Sequence, residues 1–277
     1  SDASYAIGQF VWAGFGYLGE PTPYDSYWPA RSSYFGICDL AGLPKDRYYL
    51  YRSVWNTKEN TVHVLPHWTW PGREGQITPV FVYTSYPSAE LFINGKSMGK
   101  RTKLSITDGE YNTGRPATPS DAERRAARYR LMWKDIKYEP GELKVICYDD
   151  SGNQAAEISE HTAGKACAIK LQADRDTIQA DGSDLAYITV FLTDKDGYPI
   201  PTAEDELQFT VSGAGTFKAV CNGDATSLES FVKPQMKLFS GKLVVTIQAS
   251  EQKGDIMLKV NDVNQPQLSA EMRLIAE

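Results

Sequence analysis

His63 and His67 stand four residues apart, a spacing that would bring two imidazoles to one metal if the segment were helical. Pro66 and the β-rich surroundings argue for extended chain instead, which keeps both rings on one face but about 13 Å apart. His161 is the remaining histidine and lies far along the sequence, so no metal site is expected. Acid–base catalysis by carboxylates needs two that converge. The candidates are Glu20, Asp121 with Glu123, Asp149-Asp150 and Glu204-Asp205-Glu206. All but Glu20 fall at turns or at a helix start, where acids serve the backbone, and no convergent partner is visible. Asp181, Asp184, Asp194 and Asp196 could suggest calcium. The Asp194-x-Asp196-Gly197 pattern lacks the other ligands of a binding loop and reads as hairpin chemistry. Arg124, Arg125, Arg128 and Arg130 beside Lys134 read as a solvated surface. No cofactor is expected.

Aromatic faces are the remaining chemistry. Rings make up 12% of the chain, with 16 Tyr and 6 Trp, and flat rings both stack on sugars and fill sandwich cores. Trp68 and Trp70 alternate and could form a sugar platform; the favoured reading packs one on a neighbouring helix and the other on a sheet. Tyr17, Tyr24 and Trp28 sit in a Gly/Pro-rich loop and can as easily wedge it down as touch a ligand. A net charge of −6 argues against nucleic acid as a partner, and no apolar run is long enough for a membrane span. No basic segment followed by an apolar core opens the sequence. Cys38, Cys147, Cys167 and Cys221 form no C-x-x-C pair and have apolar neighbours, so buried thiols are expected.

Three textures position these residues. Over residues 1–60, a strand at 10–15 enters the Gly/Pro-rich loop, a compact segment follows at 34–40, and Pro44 can open a helix at 45–55. Tyr48, Tyr51 and Trp55 then form one stripe. One strand and one helix cannot close a core alone, so this segment must pack on something else. Residues 61–163 turn to β, with strands at 77–84, 89–93, 128–133 and 142–148, an Asn94-Gly95 hairpin turn, and a last strand after Asn153. Residues 120–123 read as a capping box on a short helical turn. Residues 164–277 carry strands at 169–173, 186–193, 207–212, 243–249, 256–260 and 269–275. The expected fold is mainly β: two immunoglobulin-like sandwiches behind a short strand–helix segment.

The stretch Gln9-Phe10-Val11-Trp12-Ala13-Gly14-Phe15-Gly16, with Trp28-Pro29-Ala30-Arg31-Ser32-Ser33-Tyr34-Phe35-Gly36-Ile37-Cys38-Asp39 and Pro44-Lys45-Asp46-Arg47, resembles glycoside hydrolase family 2. More narrowly it resembles the β-galactosidase-type members with extra C-terminal domains. Leu65-Pro66-His67-Trp68-Thr69-Trp70, Phe92-Ile93-Asn94-Gly95 and Tyr138-Glu139-Pro140-Gly141 are similar to the domain after the barrel in that group. Cys221-Asn222-Gly223-Asp224 is similar to its closing Ig-like domain.

The resemblance implies that residues 1–60 are the last strand and helix of a (β/α)8 barrel that hydrolyses terminal β-galactosides with retention. Such chemistry needs two carboxylates roughly 5 Å apart across the glycosidic bond. In the family these come from strands four and seven, so both catalytic Glu are expected upstream and none in this chain, which alone should be inert. The resemblance also makes Trp12 a sugar-facing ring in the intact enzyme, at the barrel face where active sites form. It implies a secreted or periplasmic parent whose partners are its carbohydrate and the rest of the barrel. The alternatives are a carbohydrate-binding module using Trp68, Trp70 or Trp133, and an Ig-type protein-interaction module.

Overall fold

The computed structural model describes residues 7–8, 10–23, 26, 30–104 and 119–277. The chain divides into two compact units, one holding Pro44–Thr162 with the chain up to Trp12, the other holding Ala13–Leu43 with Ala163–Glu277. The first sixty residues therefore make no body of their own.

In the first unit, Pro44 precedes helix α1 (Asp46–Trp55), and Asp46 in its first turn complements the helix dipole. The strands are β1 (Val62–Leu65), β2 (Val80–Thr84), β3 (Ser88–Ile93) and β4 (Lys96–Thr102); after helix α2 (Pro119–Tyr129) come β5 (Leu131–Trp133), β6 (Glu142–Tyr148) and β7 (Gln154–His161). They form two sheets, β1-β2-β5 and β4-β3-β6-β7. Val64, Val82 and Trp133 from the first sheet share a core with Leu91, Leu143 and Val145 from the second. Alternation fixes the facing: β6 reads half-buried, buried, half-buried along its length, so its apolar set points inward. The β3–β4 turn has φ 49° at Asn94 and 79° at Gly95, the left-handed pair that Asn-Gly supplies in a tight hairpin.

In the second unit, β8 (Ala168–Ala173), β9 (Thr177–Ile178), β10 (Leu185–Thr193), β11 (Glu206–Gly213), β12 (Gly215–Cys221), β13 (Gln235–Lys237), β14 (Lys242–Ala249), β15 (Gly254–Asp262) and β16 (Ser269–Ala276) form sheets ordered β12-β14-β10-β8 and β13-β11-β15-β16-β9. Ile188, Val190, Val245 and Ile247 meet Leu207, Phe209, Leu258 and Leu274 in one core.

Four expectations need correction. Residues 10–15 are not a strand: Phe15 makes a single parallel bridge to Cys38, and Phe10 is 104% exposed. Ala13 O and Gly14 O accept from Ile37 N and Cys38 N, a pairing too short to make a ladder, so apolar composition alone does not make the segment a strand. The expected helical turn at 120–123 is an 11-residue helix that runs through Arg128, so the strand assigned to 128–133 starts only at Leu131. The Ala/Arg/Glu run after Asp121 consists of strong helix formers, and Pro119 suits a first helical position. Cys167 is exposed, not buried, because it lies one residue ahead of β8 and outside the packed span. Cys38 and Cys147 are buried and Cys221 is half-buried. Finally, β1, β9, β12 and β13 stand where no strand was expected.

Candidate functional site

The segment after Trp12 is built by backbone pairing. Ile37 N donates to Ala13 O at 3.0 Å, Cys38 N to Gly14 O at 2.9 Å, and Gly16 N to Cys38 O at 3.0 Å. The return strand continues the zip, with Ser33 N on Tyr17 O at 2.8 Å, Gly19 N on Arg31 O at 2.9 Å, and Tyr17 N on Ser33 Oγ at 3.0 Å. This folded-back loop is anchored to its own sandwich. Arg31 Nη2 donates to Glu229 O at 2.7 Å while its guanidinium lies 4.8 Å over the Phe231 ring. Asp39 Oδ1 accepts from Ala41 N and Leu43 N, both at 2.9 Å. Its carboxylate lies over Gly223, where a Cβ would come within 2.2 Å of Oδ2.

Trp12 leads directly into this loop and is 72% exposed. Phe15 and Leu18, within the loop, are exposed as well. Glu20 accepts the Tyr17 hydroxyl at 2.5 Å. Tyr24 and Trp28, the other loop aromatics singled out by sequence, lie outside the described residues.

The remaining candidates do not converge. Trp68 is fully buried, with Nε1 donating to Glu139 O at 2.9 Å, and has no face to offer a ligand. Trp133 is 2% exposed and donates to Gly99 O at 2.9 Å. Trp70 is half-buried; His67 stacks on it at 4.2 Å and the Arg73 guanidinium lies 5.1 Å from its ring. A sugar stacking there would have to displace one of them. His63 instead holds Asp46 at 2.8 Å and stacks on Tyr49 at 3.9 Å. His67 Nδ1 accepts from Thr69 N at 3.3 Å, a role only the unprotonated nitrogen can play, and burial holds its pKa below the ordinary histidine value. The two imidazoles thus serve separate partners. Among the described residues no three metal-ligating side chains cluster.

The acids are engaged locally. Asp149 Oδ1 accepts from Ser151 N and Asn153 N, both at 2.9 Å, and Glu123 accepts Lys134 at 2.6 Å. The side chain of Asp121 lies outside the described residues. Glu206 accepts Gln235 at 2.9 Å. Of the basic run, Arg130 lies 5.2 Å over Phe81, its stem covering the sheet rather than gathering an anion. A depression of about 550 Å³ is lined by Arg175, Gln179, Asp181, Asp184 and Tyr187. Its carboxylates are taken by their own turn: Asp181 Oδ1 accepts from Ser183 N at 2.7 Å, and Asp184 Oδ2 from Gln179 N at 2.8 Å.

Asp194 shows what such turn acids contribute. Its Oδ2 accepts Gly164 N at 2.8 Å, and Oδ1 accepts Asp196 N and Tyr198 N, both at 3.0 Å. These donors, Gly164 first, hold its carboxyl below the usual aspartate pKa. Because the folded pKa is depressed, the stabilisation is present above the ordinary aspartate value of about 3.9 and is lost as pH falls below it. Asp194→Ala is expected to destabilise the chain by about 2 kcal/mol at pH 7, with the difference shrinking at pH 3. Urea unfolding at the two pH values checks both.

Arg31, Gly36, Asp39 and Gly223 were not singled out as site residues by sequence reasoning. Their role is to shape and anchor backbone, which no side-chain pattern advertises.

Comparison with known proteins agrees with this architecture. The family model described as glycoside hydrolase family 2 C-terminal domain 5 matches residues 169–269, and a domain of unknown function, DUF4982, matches residues 75–156. The chain is 42% identical over 258 residues to the beta-galactosidase BoGH2A of Bacteroides ovatus, covering 93% of this chain and 27% of that protein. It is 28% identical to a putative beta-glucuronidase of Formosa agariphila, over 90% of this chain and 22% of that one. It thus spans about a quarter of the length of these curated relatives. Among solved structures, a beta-glycosidase from Bacteroides vulgatus matches 96% of this chain and 30% of its own, with a TM-score of 0.78 at 33% identity. A glycosyl hydrolase family 2 member from Bacteroides cellulosilyticus matches all of this chain and 37% of its own, with a TM-score of 0.81 at 28% identity. Sequence and fold together identify the chain with the C-terminal portion of glycoside hydrolase family 2 proteins.

Proposed function

We propose that the chain is the non-catalytic C-terminal support of a retaining exo-glycosidase that removes terminal β-galactosides. The observation that carries this reading is the 42% identity to a beta-galactosidase, which extends over 93% of the chain. The loop supports it: Phe10, Trp12, Phe15 and Leu18 are exposed apolar side chains on a segment that makes only isolated bridges. Exposed apolar side chains of that size favour a covering surface, and the rest of the catalytic barrel is the proposed cover. In that arrangement residues 1–60 end the barrel, and Trp12 lines the sugar pocket by stacking against a pyranose face. The parent acts outside the cytoplasm, secreted or periplasmic. No helix among the described residues is long and apolar enough to cross a membrane.

Retention requires two carboxylates about 5 Å apart across an accessible glycosidic bond, whereas Glu20, Glu123, Asp149 and Glu206 each serve a local partner and Asp205 lies against the buried Asp262. The purified chain is therefore expected to leave nitrophenyl β-galactosides intact, while an enzyme carrying it as its C-terminal portion hydrolyses them. Within that enzyme, Trp12→Ala should lower kcat/KM by roughly three- to tenfold, the scale of one lost stacking contact. Turnover by the chain alone above a mock preparation would refute the non-catalytic reading. Calorimetric heat on titrating the chain with galactosides would favour a carbohydrate-binding module instead.

A further inference from the structure

Asp262, at the end of β15, is 1% exposed. Its Oδ1 accepts from Asn264 N and Gln265 N, both at 2.8 Å, which closes the turn into β16. Its Oδ2 is buried and has no N–H donor. The residue cannot turn away: Asp262 N donates to Leu268 O at 3.0 Å, and its backbone is in register with Leu207 of β11. A buried carboxylate oxygen without a donor is strongly unfavourable.

The Asp205 carboxyl, on the residue just before β11, is a side-chain neighbour of Asp262. Gln265 Nε2 reaches Asp205 Oδ1 at 3.3 Å, so the same turn holds both acids. Two carboxylates in contact cannot both be ionised without large repulsion. One proton between them removes the repulsion and supplies the missing donor.

We propose that Asp205 is protonated in the folded chain and donates its hydrogen to Asp262 Oδ2, forming a proton-dependent clasp between the start of β11 and the β15–β16 turn. The other neighbours leave this arrangement undisturbed. From the β13 side Leu238 N donates to Asp205 O, the Glu206 carboxylate is taken by Gln235, and Lys237 pairs in register with Glu206. Gln265 is neutral, which leaves Asp262 as the charge that acts on Asp205. A hard cation in place of the proton would need six or more oxygens, whereas the carbonyls of Asp205 and Glu206 already accept Leu238 N and Val263 N.

Burial first, and the Asp262 charge second, push the Asp205 carboxyl above the ordinary aspartate range. For an acid whose folded pKa is raised, the stabilisation is complete below the unfolded pKa and is lost as pH rises through the folded one. The clasp therefore closes in mild acid and opens toward alkaline pH.

The test is carboxyl-carbon NMR titration of the chain, paired with urea unfolding from about pH 4 to 8. Asp205 should titrate above the ordinary range, and Asp262→Asn should lower it toward that range while burial keeps it above. Asp205→Asn, whose amide replaces the shared hydrogen, should remove the loss of stability on raising pH and exceed the wild type at pH 8. An Asp205 that titrates normally overturns the proposal whether or not the variants fold. So does a gain in stability on adding millimolar calcium or magnesium at pH 8 that Asp205→Asn abolishes, since that would make the pair a cation site.

Discussion

Replacing Trp68 by alanine is expected to destabilise the first sandwich by about 3–5 kcal/mol, a large share of what a domain of this size has to lose. The ring is fully buried and meets Tyr138 edge-on at 5.1 Å. Its removal leaves a cavity in the core that also holds Val82, Leu91 and Leu143, and strands Glu139 O, which accepts the indole N–H. The polar web beside it depends on the same placement. Thr162 Oγ1 donates to Trp68 O at 2.6 Å and accepts from Gly141 N at 3.0 Å, and the Tyr138 hydroxyl lies 3.1 Å from Thr162 Oγ1. Trp68→Phe, which keeps much of the volume but loses the N–H, should cost less than the alanine change. Trp12→Ala, at an exposed ring, should change stability by less than about 0.5 kcal/mol. Urea unfolding followed by far-UV circular dichroism separates the three. A Trp68→Ala midpoint matching that of Trp12→Ala would show that the first core does not depend on this ring.

The same two tryptophans mark where sequence reading stops. Alternation places Trp68 and Trp70 on one face only if the chain there is a strand, yet β1 ends at Leu65 and the backbone beyond it is irregular. One ring enters the core and the other half-emerges, a difference that depends on Tyr138 and Glu139, about seventy residues away in sequence. Where a local rule suffices, the sequence reads correctly. The apolar alternation of β6 and β10, the Asn94-Gly95 turn and the helix after Pro44 each follow from side-chain period or backbone preference. Where the outcome depends on a distant partner, it does not. Residues 10–15 have the composition of a strand but lack a ladder, and β12 forms because β14 offers an edge to it. The candidate site falls in the second class. Trp12 could be named from family resemblance, while the loop that follows it is held by Arg31, Asp39 and Gly36, which are legible only once the backbone is folded.

Gly36 gives the sharpest test of that loop. A Cβ there would lie 2.1 Å from Gly16 N, 2.1 Å from the Phe15 carbonyl carbon and 2.3 Å from Cys38 O. All three are backbone atoms, so no side-chain rotamer can relieve the overlap and the two arms must separate. Gly36→Ala is expected to cost about 3 kcal/mol locally, the upper end for overpacking. It should release the amide protection of Gly16, Ile37 and Cys38, whose N–H groups now bond across the arms. Gly14→Ala is the control in the same segment, because a Cβ at Gly14 meets nothing within 4 Å. Hydrogen exchange on the two variants should show loss of protection in the first and none in the second. If the loop positions Trp12 for a sugar, an enzyme carrying Gly36→Ala should also lose kcat/KM by at least as much as Trp12→Ala, with overall unfolding unchanged. Loss of protection with full activity would leave the loop as a structural clamp that the reaction does not need, because a segment that can be loosened without consequence is not positioning substrate.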